Sequence, residues 1–90
     1  MNSASGNRIL LIEDEPDVID LLTLALRKAE FAVSSAEDGA GGLRLARGET
    51  PALVILHRML PKMPGRVVCT VLNSDPATKH LPVIMPTAKA

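Results

Sequence analysis

The sequence has no excess charge of either sign, because ten Lys and Arg balance ten Asp and Glu. That balance removes the uniform field that would draw a chain to nucleic acid or an anionic membrane. Cysteine is reduced to Cys69 alone, which excludes an internal disulfide and any site built from several thiolates, and suits a reducing cytosol. Cys69 itself is expected as a small buried hydrophobe. No apolar run is long enough to span a bilayer. The start, Met1-Asn2-Ser3-Ala4-Ser5-Gly6, lacks a basic segment leading into a signal-peptide core. There is no internal repeat, no helix-turn-helix pattern, and no Ser-His-Asp or Cys-His spacing. Direct DNA contact, membrane association and hydrolytic or acyl-transfer catalysis are therefore not expected, and the chain is read as cytoplasmic and non-enzymatic.

What is present suffices for one small domain: 90 residues, 47% hydrophobic and 22% charged, too short for two cores and too apolar for a disordered tail. A disordered segment over 1–7 and a domain over 8–90 are expected. Charge is uneven along the chain. Glu13, Asp14, Glu15, Asp17 and Asp20 fall in one short stretch, while Arg44, Arg47, Arg58, Lys62 and Arg66 come later. That acidic knot calls for a cation.

Ile9-Leu10-Leu11-Ile12 is a continuous apolar run ending at acids, as expected of a parallel strand buried on both faces. Pro16 suits a first helical position, and Val18, Ile19, Leu22, Ala25, Leu26 and Ala29 recur at helical spacing until Arg27 and Lys28 complement the helix dipole. Phe31 to Ser34 predicts a second strand, and Asp38-Gly39 opens a helix through Leu43, Leu45 and Ala46, diluted by Gly41 and Gly42. Gly48 and Pro51 bracket a turn before a third strand, Leu53 to Leu56, which delivers His57 into a loop punctuated by Pro61, Pro64 and Gly65. Residues Arg66 to Leu72 carry strand propensity but also one helical face. The alternating rhythm selects the helix, broken at Asn73-Ser74-Asp75-Pro76. Pro82 to Met85 is a fourth strand. The fold class is therefore α/β, with a doubly wound parallel sheet whose ligand sites lie at the carboxyl ends of its strands. Glu13-Asp14, His57 and Thr87 occupy such ends.

From Arg8 to Ala90 these residues resemble the CheY-like receiver domain of two-component response regulators. Ile9 to Pro16 is similar to that family's first strand and acidic pair. Leu60-Pro61-Lys62-Met63-Pro64-Gly65 is similar to the loop after its phosphoacceptor strand. Leu81 to Ala88 is similar to its fourth strand and switch hydroxyl. The resemblance implies a flavodoxin-like topology and phosphorelay signalling. It also implies a magnesium ion held by Glu13, Asp14 and the backbone carbonyl of Met59, a switch residue at Thr87, and a histidine kinase or effector domain as partner. His57 occupies the place of the phosphorylated aspartate, and Pro86 stands where the family usually has an aliphatic residue. In the family a helix, a fifth strand bearing a phosphoryl-contacting lysine, and a final helix follow. Lys89 is not that lysine. The fold is thus expected to be truncated after the fourth strand, with an unpaired edge, a bare sheet face beside the first helix and a homodimer as consequence.

An aspartyl phosphate forms when an ionised carboxylate attacks phosphorus, and His57 removes that nucleophile. The usual phosphoryl acceptance is therefore not expected, and contacts with proteins would carry the function. His57 is open to other readings. It could be a substitution in a module that no longer needs chemistry, an internal counter-ion in place of the metal, or itself a phosphoryl acceptor. It could also join Glu13 and Asp14 in a divalent metal-binding module suited to zinc or manganese. The bland expectations are that Thr87 satisfies nearby backbone, His80 is a solvated loop residue, and Met59, Met63 and Met85 are core or loop apolar residues.

Overall fold

The computed structural model describes residues 7–86. Four parallel strands, β1 (Arg8–Ile12), β2 (Ala32–Ala36), β3 (Leu53–Leu56) and β4 (Val83–Ile84), lie in the order β2-β1-β3-β4. Helices α1 (Pro16–Lys28), α2 (Gly39–Glu49) and α3 (Gly65–Ser74) connect them. This is the doubly wound α/β architecture expected from the sequence.

Side chains alternate across a strand, and the two faces of β1 and β3 are accordingly buried in different ways. Leu10, Ile12, Val54 and Leu56 enter one cluster with Ala46 of α2, Val68 and Leu72 of α3, and Leu60 and Leu81 from loops. Full burial of each such leucine contributes about 1.5–3 kcal/mol, so this face carries most of the fold. On the other face Leu11, itself fully buried, and Ile55 line an open cleft with Val18 and Leu22 of α1. No residue of α1 is fully buried, and Leu21 and Leu24 stand 67% and 58% exposed.

Three elements differ from expectation in their bounds, each for a physical reason. β2 begins at Ala32 and runs to Ala36 because its ladder matches β1 from Arg8↔Ala32 to Ile12↔Ala36, whereas the Phe31 amide donates to the Leu26 carbonyl and closes the end of α1. Helix α3 starts at Gly65 and continues through Ser74. It stops at Asp75, which precedes Pro76 and takes extended backbone for that reason. β4 is only two residues long, since Pro82 has no amide to give and contributes its carbonyl to the Val54 amide at 2.9 Å. Gly42 does more than dilute a helix. A Cβ there would come within 2.4 Å of the Ile12 side chain, so glycine sets how closely α2 approaches β1.

Caps hold the helices. Asp38 accepts from the Gly41 amide at 2.8 Å and starts α2. Thr78, almost wholly buried, donates its hydroxyl to the Leu72 carbonyl at 2.8 Å and closes α3. Asp75 bridges α3 to Arg47 of α2 at 2.7 Å. A hydrogen bond from the Ala77 amide, followed by the Arg47 guanidinium, holds its carboxyl below the ordinary value of 3.8.

Candidate functional site

Parallel pairing decides which side chains meet. β1 and β3 are in register through Ile12↔Leu56, and the His57 amide continues the ladder by donating to the Ile12 carbonyl at 2.9 Å. The next residues, Glu13 and His57, therefore emerge side by side at the carboxyl edge of the sheet. The Glu13 amide donates in turn to Ala36 at 3.0 Å, so the site's first acid is anchored between two neighbouring strands.

The structure brings three predicted residues together. His57 Nδ1 lies 3.4 Å from Glu13 Oε2 and 3.6 Å from Asp14 Oδ1. Both separations exceed ordinary hydrogen-bond length. Nδ1 is also closed off from solvent and has no hydrogen-bond partner among the described residues. Donor atoms of the three side chains all fall within 4.8 Å of one another. Glu13 is buried, Asp14 half-buried, and the Glu13 carboxylate accepts from the Glu15 amide at 3.1 Å, which fixes its orientation as the chain turns into α1. A cleft of about 280 Å³ opens beside Glu13 and His57, walled by Leu11, Val18, Leu22 and Ile55.

Of the two other predicted residues, Met59 was expected to act through its backbone carbonyl rather than its side chain. The Met59 side chain is 73% exposed and lines a separate cleft of about 370 Å³ with Arg58, Pro64, Arg66 and Met85. Thr87 lies outside the described residues, as do Lys89 and most of the segment 1–7. Met63 and Met85 pack partly buried against the core, while Cys69 is half-buried rather than enclosed, and His80 is exposed.

Sequence reasoning missed the closure of the loop behind the site. Gly65 donates its amide to the Arg58 carbonyl at 2.8 Å, and a Cβ at Gly65 would stand 2.5 Å from the His57 carbonyl oxygen. Only glycine permits that approach. The signal was visible as the glycine that opens α3, but its target could not be read without the fold.

The family profile described as the response regulator receiver domain matches residues 9–90. The chain belongs to that family. The receiver is 43% identical over 81 residues to the DNA-binding dual master transcriptional regulator RpaA of Synechocystis, a match covering 90% of this chain and 34% of RpaA. It thus spans about a third of that relative's length. Its fold is similar to that of the N-terminal domain of a response regulator receiver protein from Methanoculleus marisnigri, with TM-score 0.88, 32% identity, and coverage of 91% of this chain and 67% of that one. It is also similar, at TM-score 0.88 and 26% identity, to the receiver domain of the sensor histidine kinase PA1611 from Pseudomonas aeruginosa. That match covers 94% of this chain and 70% of that one, and the PA1611 receiver holds a magnesium ion in its active-site cleft. Among the described residues of the present receiver, no helix is long and apolar enough to cross a membrane.

Proposed function

We propose that this receiver is a two-component signalling module that does not accept a phosphoryl group in the usual way, and that it acts through contacts with proteins. The observation carrying this reading is His57, an imidazole beside Glu13 and Asp14 at the end of β3, the place that resembles the family's phosphorylated aspartate. An imidazole there supplies neither the carboxylate nucleophile nor its charge. Glu13 and Asp14 keep the acids, Met59 the carbonyl and Thr87 the hydroxyl of the family pattern, so the site retains its frame without its acceptor. The reading makes the module a non-enzymatic, cytoplasmic domain.

Its partners in this reading are a histidine kinase or an effector domain of the receiver class, and a second copy of itself. Balanced charge directs it away from nucleic acid. For self-association the supporting feature is α1. Asp17, Leu21, Leu24 and Lys28 follow at spacings of one helical face, acidic at the start, apolar in the middle and basic at the end. Antiparallel pairing with a second copy would set each acidic start against the other's basic end and cover both leucines. The phosphoryl part of the reading is tested by intact mass after incubation with magnesium and a small phosphoryl donor. No adduct is expected, and an adduct on His57 would overturn it.

A further inference from the structure

Magnesium demands oxygen ligands at about 2.0–2.1 Å in near-octahedral array, which places neighbouring ligand atoms roughly 3.0 Å apart. The donor set here departs from that on both counts. One donor is an imidazole nitrogen, and it stands 3.4 Å and 3.6 Å from the two carboxylate oxygens. Bonds of about 2.0–2.2 Å to histidine nitrogen and carboxylate oxygen in a tetrahedron put neighbouring ligands roughly 3.3–3.6 Å apart. Both edges at His57 fall in the tetrahedral range, and the three donor atoms all lie within 4.8 Å of one another.

A second observation points the same way. His57 Nδ1 is shielded from solvent yet unpartnered among the described residues, and a buried polar atom in that condition needs a partner. Both carboxylates stand beyond ordinary hydrogen-bond length, and a divalent cation beside the three donors would supply the partner that Nδ1 lacks. Two carboxylates and a neutral imidazole offset a divalent charge, and the Glu15 amide already holds Glu13 in orientation at 3.1 Å. The adjoining cleft leaves room for a water in a fourth position.

We propose that Glu13, Asp14 and His57 form a site for a divalent transition metal of the zinc class, with three protein ligands and one open position. Substitution at His57 then changes which metal the receiver takes rather than only removing its acceptor. This goes beyond the signalling reading and stands on geometry alone, so its failure would leave that reading untouched.

The test is calorimetry of the full chain with zinc and with magnesium, alongside visible spectra with cobalt(II). Zinc is expected to bind one to one, at least tenfold tighter to the native chain than to His57→Ala, with His80→Ala unchanged. Cobalt(II) is expected to give the intense bands of a four-coordinate site. His57→Asp, which restores an oxygen donor, should abolish those bands and strengthen magnesium binding. Equal zinc affinity in native and His57→Ala, both shown folded by circular dichroism, would overturn the proposal. So would a weak octahedral cobalt spectrum.

Discussion

In the proposed reading, His57 alters what the site presents while the strand that carries it keeps its place. Its backbone amide still completes the β1–β3 ladder by donating to Ile12, so the substitution costs no sheet hydrogen bond and changes only what the strand end presents. A second single-residue effect lies in the loop that follows. Lys62 adopts φ 71°, and the Met63 amide turns back to the Pro61 carbonyl at 2.7 Å, a tight three-residue turn that a side chain strains. A non-glycine residue in the left-handed region gives up about 1–2 kcal/mol, of which glycine's extra flexibility in the unfolded chain offsets part. Lys62→Gly is therefore expected to stabilise the protein by ~0.5–1 kcal/mol, read as a higher urea midpoint. An unchanged or lower midpoint would mean that the turn carries no strain. The sequence announced this loop through its prolines and Gly65, but not the handedness of Lys62, because lysine has no conformational signature of its own.

At the scale of elements, the helices differ in what secures them. α3 contributes Val68 and Leu72 to the core and is closed by the Thr78 hydroxyl on the Leu72 carbonyl. Thr78→Val would keep the volume and remove that donor, leaving a carbonyl unpaired at a buried helix end. The expected loss is about 1–2 kcal/mol by urea unfolding, while Ser74→Ala on the exposed side should change stability by less than about 0.5 kcal/mol. The order of strands and helices was legible in the sequence from apolar runs, Pro16 and the Asp38 cap. Strand ends were not. β2 was misplaced because its limits follow the hydrogen-bond ladder of β1, and β4 was overextended because hydrophobicity at Pro82 and Met85 does not create pairing partners. Of the expected strand ends, Glu13-Asp14 and His57 do meet, while Thr87 lies outside the described residues. That Nδ1 faces both carboxylates unpaired emerged only from the register.

At the scale of the whole molecule, the sheet is unevenly covered. One face is sealed by α2 and α3. On the other, Leu11 is buried, but the partly buried Ile55 and the half-exposed Ile84 continue its row, with α1 standing over an open cleft. Apolar surface of this kind favours association. With the charge pattern of α1, the account predicts a dimer by sedimentation equilibrium that Leu24→Asp dissociates without loss of helical signal. A native chain that sediments as a monomer at every concentration would contradict it. The outer pair Leu21 and Leu24 was not legible in the sequence, because they lie off the apolar face read for α1 and only the packing shows them 67% and 58% exposed.

His57 is proposed to silence phosphoryl acceptance at the carboxyl end of β3. The most direct measurement is the intact mass of the native chain and of His57→Asp after parallel incubation with magnesium and acetyl phosphate, with any adduct mapped by fragmentation. The account predicts an unmodified native chain and a phosphoryl group on the aspartate variant. A phosphoryl group on His57 of the native chain would contradict it.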